Sequence, residues 1–178
     1  MALTANLIPS QVVTFPCPYD ATLAFAGPAA PQTLVATGYV NALNSGQLDL
    51  GGAKPQSAAG RTDFIWNMDI TAVNMATGDE FYQFFLLGSN DVNFGNGNVD
   101  VMDFYDIAAA ASGRIIPNLL GATPVIPPVG LGGMLVQSPA SNLQCRIYYR
   151  YLRLRALMGG TGPSVTVAAW ISRAGIHV

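Results

Sequence analysis

Short stretches that alternate apolar and polar side chains, each closed by Gly, Pro or Asn, recur along this chain, and no stretch sustains a helical period. Phe64 to Thr71 is the plainest. Trp66, Met68 and Ile70 share one face, and Asn67, Asp69 and Thr71 share the other. Asn74 to Asp79 supplies turn residues, and the aromatic run Glu80 to Leu87 favours a strand, so the two stretches are expected to pair as a hairpin. Gly88 to Asn98 reads as a polar loop and Val99 to Tyr105 as a further strand.

Near the C-terminus, Leu143 to Leu157 alternates but changes phase midway. Arg146, Tyr148 and Arg150 share one parity, and Arg153 and Arg155 fall on the other. A β-bulge near Tyr151 would bring all four arginines to one side and turn Cys145, Ile147, Tyr149, Leu152 and Leu154 inward. Met158 to Pro163 is a turn rich in glycine. Ser164 to Ser172 then returns as the partner of a second expected hairpin, with Val165, Val167, Ala169 and Ile171 on one face. Trp66 and Trp170 both fall in strand patterns and are expected in the core.

Shorter strands are expected over Val12–Phe15, Thr22–Ala26, Leu34–Val40 and Gln47–Leu50, and at most one helical turn over Ala108–Ala111. The expected fold is all-β: a single domain over residues 1–178, a jelly-roll-like antiparallel sandwich of about eight strands. Ser112 to Ser141 stands apart, with no period and a high Pro and Gly content. Ile115, Leu119, Val125, Ile126 and Leu131 make it too apolar for a solvated linker. It is expected to be an extended arm, laid on another protein, on a sister subunit or back over its own domain.

Composition narrows the setting. Only 10% of the 178 residues are charged, against about 25% in average soluble proteins. That excludes charged coiled coils and charge-rich disorder, and a net charge of −2 excludes a coat for nucleic acid driven by bulk positive charge. The N-terminal stretch lacks the basic start of a secretion signal, and prolines break both long uncharged runs, so neither export nor a membrane span is expected. Cys17 and Cys145 are expected to be free thiols.

The few charges are sorted. Residues 63–106 hold eight of the ten acids and no Lys or Arg, whereas residues 107–178 hold six arginines and no acid. The two segments are complementary and suited to pairing across a sandwich. Alternatively Arg146, Arg150, Arg153 and Arg155, with Tyr148, form a guanidinium stripe for a protein partner, since the planar fork of Arg suits partly desolvated contacts. Scarcity of Lys and Glu is the bias of interface cores.

Catalytic patterns are weak. There is no G-x-S-x-G elbow, phosphate loop or dinucleotide fingerprint. Asp79 and Glu80, or Asp69 and Glu80, supply a carboxylate pair in principle, but acids at a turn are ordinary. Asp91 to Asp100 offers oxygen ligands at alternate positions, yet Asn96 and Met102 stand where a calcium loop carries Gly and Glu. His177 has no companion ligand. No enzyme activity, cofactor or metal is expected.

Several segments, in order, resemble the small jelly-roll capsid cement (decoration) proteins of tailed bacteriophages. They are Gln47-Leu48-Asp49-Leu50-Gly51-Gly52 with Ala58-Ala59-Gly60-Arg61, and Met68-Asp69-Ile70-Thr71-Ala72-Val73 with Thr77-Gly78-Asp79-Glu80. Leu86 to Phe94 follows, then Arg150-Tyr151-Leu152-Arg153-Leu154, which leads through Gly160 to Ser164 into Val167 to Ile171. The likeness spans about residues 47–106 and 143–172; the proline-rich N-terminus and the Ser112–Ser141 insertion depart from it. The resemblance implies a non-enzymatic virion protein, made in the host cytoplasm, which binds the outside of an assembled head and clamps neighbouring major capsid protein subunits as a dimer or trimer. The expected contact residues are the four arginines, Tyr148 and the apolar residues of the insertion. A carbohydrate-binding or host-adhesion sandwich of a tail fibre is the alternative, and exposed Trp or Tyr would favour it.

Overall fold

A computed structural model describes residues 19–51, 63–95, 99–107, 134–144 and 146–173. Twelve strands run through them. They are β1 (Ala24–Ala26), β2 (Gln32–Leu34), β3 (Gly38–Tyr39), β4 (Gln47–Asp49), β5 (Asp63–Val73) and β6 (Phe81–Ser89). After these come β7 (Val99–Ile107), β8 (Met134–Ser141), β9 (Leu143–Gln144), β10 (Ile147–Tyr148), β11 (Tyr151–Gly159) and β12 (Val165–Arg173). No helix of the described residues is long and apolar enough to cross a membrane.

Two five-stranded antiparallel sheets face each other. The first runs β1–β12–β5–β8, with β2 also on β12; the second runs β3–β11–β6–β7, with β4 also on β11. Because β1 and β2 share one flank of β12, and β3 and β4 one flank of β11, the ten strands occupy eight lanes. Successive lanes switch sheet at every step except β6 to β7, which is the winding of a jelly roll. The remaining pair, β9 and β10, is a separate small hairpin.

This winding corrects both expected hairpins. β5 and β6 lie in opposite sheets, as do β11 and β12. Period-two alternation records only which side chains face the core; it is the same whether the next strand lies beside or across the sandwich. Leu34–Val40, expected as one strand, is likewise the crossing from β2 to β3. Met134–Ser141, expected as the end of the irregular insertion, is strand β8, paired with β5 from Asp63↔Ser141 to Ile70↔Met134. It is an edge strand, where Pro139 forfeits no obligatory ladder bond.

The inward faces follow the expected parity. Phe64, Trp66, Met68 and Ile70 meet Tyr82, Phe84 and Leu86 across the sandwich, and Leu152, Leu154 and Ala156 meet Val165, Val167, Ala169 and Ile171. Burying each large side chain of this set contributes about 1.5–3 kcal/mol. Trp66 is in this core. Trp170 is buried on the opposite face of its sheet, with Ala24, Ala168 and Leu43, and meets Tyr19 edge-on at 5.9 Å.

The two corners that carry the chain between sheets at one end hold each other. Asn74 donates through its backbone N–H to the Ser164 carbonyl at 2.8 Å and through Nδ2 to the Gly162 carbonyl at 2.8 Å. The Tyr82 hydroxyl donates to the Asn74 carbonyl and accepts from Ser164 N–H at 3.0 Å. Asp79 accepts from Thr161 N–H and Oγ1 at 3.1 and 2.9 Å. Gly160 has φ +95°, and a Cβ there would lie 2.6 Å from the Asp79 carbonyl oxygen, so the corner requires glycine.

Candidate functional site

The outer face of the second sheet gathers the functional candidates. Its lanes place Tyr39, Gln47 and Asp49 beside Arg155, Arg153 and Tyr151 on β11, because these residues pair directly in register. On the other flank of β11, Arg155 stands beside Phe85 and Arg153 beside Leu87, and β7 continues the rows with Phe104 and Val101.

Arg150, just before β11, is held twice over. Its backbone N–H donates to Asn90 Oδ1 at 3.0 Å, and its guanidinium forms a bidentate pair with Asp49 at 2.7 Å from both Nε and Nη2. The guanidinium also lies 5.0 Å from the centroid of Tyr151. Its hydrogen bond to Asp49 lowers the Asp49 carboxyl below the ordinary range and raises the Arg150 guanidinium. The pair is partly exposed, so its net contribution is about 1 kcal/mol or less.

Arg153 is enclosed by rings. Phe94 lies 4.3 Å away and Tyr39 5.7 Å away, and Nη2 donates to Gln47 Oε1 at 2.9 Å. Phe94 reaches this position from a loop in which it adopts φ +53°. Both oxygens of Asp91 anchor that loop, accepting from Asn93 and Gly95 N–H at 2.9 Å. Arg155 is exposed and makes no hydrogen bond or ion pair to a described residue.

The expected four-arginine stripe therefore divides. Arg150, Arg153 and Arg155 converge on one face beside β3 and β4, whereas Arg146 occupies the turn of the β9–β10 hairpin at φ +69°. No single bulge near Tyr151 restores the phase; the chain leaves the sheet there. Ile147, expected inward, is consequently 49% exposed, while Tyr149, Leu152 and Leu154 are buried as expected. Tyr148 is half-buried, and its carbonyl accepts from Asn90 Nδ2 at 2.9 Å. Ile115, Leu119, Val125, Ile126 and Leu131 lie outside the described residues, as do Cys17, Cys145 and His177.

Charge complementarity between the acidic and arginine-rich segments is not what neutralises Arg150: its partner, Asp49, precedes the acidic segment. Among the acids of that segment, Asp79 reaches Thr161 at the far corner, and Glu80 closes its own turn. Glu80 is buried and accepts from Thr77 N–H, Thr77 Oγ1 and Gly78 N–H. The Thr77 hydrogen bonds lower both Asp79 and Glu80, the wrong direction for a general acid. Tyr149 donates its hydroxyl to Asp100. Among the described residues no three His, Cys, Asp or Glu side chains come together as a metal site.

The sequence missed the ring pair Phe85–Phe104, stacked at 6.4 Å and 23° on the same face. Alternation could have found it, since both are outward positions on their strands. Nothing in the sequence announces Phe94, whose position depends on a loop conformation. The chain matches no protein-family model, no curated protein and no solved structure.

Proposed function

We propose that this chain is a structural virion protein: a capsid cement protein that binds the outer surface of an assembled phage head and clamps neighbouring major capsid protein subunits, without enzymatic activity. The observation that carries the reading is the outer face of the second sheet, where arginines and exposed aromatic rings stand together on one sheet surface. Of the nine large apolar side chains exposed among the described residues, five (Tyr39, Phe81, Val99, Val101 and Phe104) belong to the strands of this sheet. Such a concentration is characteristic of protein contact. The low charge of the chain and the jelly-roll winding agree with it. A cement protein acts by mass action, stabilising only the assembled lattice it binds.

The test is co-sedimentation of purified chain with undecorated heads of the same phage. Saturable binding at a fixed ratio to capsid subunits supports the proposal, and chain that stays in the supernatant with intact heads refutes it. The exposed Tyr39, beside Gln47 and Arg153, favours a second reading as a glycan-binding adhesion module; specific glycan-array hits without head binding would select it.

A further inference from the structure

We propose that Asp103 and Ser138 form an acid-tightened latch between β7 and β8, the edge strands of the two sheets. The seam between these strands opens more readily while Asp103 is ionised and closes when it takes a proton.

β7 ends the second sheet and β8 the first, and the two strands touch along one flank of the sandwich. Asp103 reaches this flank from the inside because of a bulge. Leu86 pairs with Asp103 and Leu87 with Val101, so Met102 is an extra residue on β7. The extra residue resets the alternation. Val101 and Phe104 are exposed, whereas Met102 packs on the core and Asp103 stands opposite the fully buried Leu86. Asp103 Oδ1 accepts from Phe104 N–H at 2.9 Å. Ser138 of β8 donates to the same carboxylate and so ties one sheet edge to the other. Ser138 is itself buried and pairs in register with Trp66.

This arrangement leaves Asp103 Oδ2 buried with no hydrogen-bond partner among the described residues; the buried Trp66 Nε1 also lacks one and does not bond the carboxylate. No charge on a described residue compensates. β5, β6, β8 and β9 bring Trp66, Leu86, Ser138 and Leu143 to this side, and the acids of β5, Asp63 and Asp69, stand on the outward parity. On β7 itself, Asp100 accepts from the Tyr149 hydroxyl, and Asp106 accepts from Gln83. Tyr105 is pushed up to about 12 by burial and by Asp106, and is neutral throughout the acid range.

Burial therefore raises the Asp103 carboxyl above its ordinary range, against the opposing pull of Ser138 and Phe104. Opening the seam hydrates the ionised carboxylate and removes that cost, whereas the protonated form has no charge to hydrate. The closed seam is thus favoured fully below the ordinary carboxylate value, and the advantage is lost as pH rises through the folded value. β8 is suited to respond locally, because among the described residues its only ladder is with β5. The proposal does not depend on capsid binding.

Native-state hydrogen exchange of the full chain, corrected for intrinsic rates, tests it between pH 7 and about pH 4, in the ordinary carboxylate range. Protection of β8 amides is expected to rise severalfold as pH falls. β12, in the middle of its sheet, should instead lose protection, because Asp49, Asp79 and Glu80 weaken the whole fold in acid. Asp103→Asn keeps the acceptor for Phe104 and removes the charge. Its β8 should be as protected at pH 7 as wild type is in acid, with no further rise. Ser138→Ala removes the tie and should lower β8 protection at both pH values. The proposal is overturned by wild-type β8 protection that is flat or falls in acid, by Asp103→Asn keeping the wild-type profile, or by Ser138→Ala leaving β8 as protected as before.

Discussion

Replacing Tyr82 by Phe removes one oxygen atom from a buried side chain and with it one of the ties between the two sheet-crossing corners. That hydroxyl donates to the Asn74 carbonyl in the β5–β6 connection and accepts from Ser164 N–H at the start of β12. The ring stays in the core among the same neighbours, so the packing term is nearly constant. Two hydrogen bonds at about 1 kcal/mol each give a loss of about 2 kcal/mol. For a chain of this size that corresponds to about 4–8 °C in Tm. Equilibrium urea denaturation is the assay: the midpoint should fall while the slope stays unchanged, because the surface exposed on unfolding is the same. Thr33→Val is the control, since it breaks only the exposed Thr33–Thr166 hydroxyl contact at 2.8 Å and should change stability by no more than about 0.5 kcal/mol. If Tyr82→Phe proves as neutral as the control, the two corners are not coupled through this hydroxyl.

Other predictions follow from the same geometry. Burial raises the Asp103 carboxyl, and its Oδ2 has no hydrogen-bond partner among the described residues, so the ionised form is disfavoured in the fold. A raised carboxyl contributes stability only while protonated; Asp103→Asn should therefore raise Tm at pH 7, an advantage that shrinks as pH falls. A lower Tm at pH 7 would contradict this. Asp49, Asp79 and Glu80 are shifted downward, so their contribution is present above the ordinary carboxylate range and is lost as pH falls through their folded values. Acid titration of wild type against Asp49→Asn should show part of that loss disappear in the variant. If the insertion contacts the capsid, deleting residues 117–131 should leave β8 and the melting transition intact and abolish head binding. A deletion reaching Pro139 should also destabilise the fold, because it removes most of β8.

The side chains that face the core were legible because strands have a period of two. Trp66, Met68 and Ile70, or Val165 and Val167, need no tertiary information to be assigned inward. Which sheet each strand joins was not legible. The Asn74–Glu80 turn has the composition of a hairpin loop, and only the bonds it makes to Gly162 and Ser164 turn it across the sandwich. β8 was obscured by Pro139 and the glycines before it, residues that a central strand excludes and an edge strand admits. At the candidate site, the outward parity of Arg153 and Arg155 was readable. Arg146 separates from them because the chain breaks at Tyr149 and Arg150 to satisfy Asn90 and Asn142, a long-range requirement without a local signature. Asn67, read as an outward polar residue, is buried and donates to Ser172 Oγ at 3.0 Å. Its parity was correct, but the cover over that face was not evident from the strand itself.

The central claim is that this low-charge jelly roll strengthens an assembled capsid. Its most direct test is the disruption temperature of undecorated heads, measured with and without saturating purified chain. Binding only to the assembled lattice must raise that temperature, increasingly with chain concentration, and the Tyr82→Phe variant should raise it as wild type does at temperatures below its own melting. Heads that disrupt at the same temperature with saturating chain present would contradict the claim.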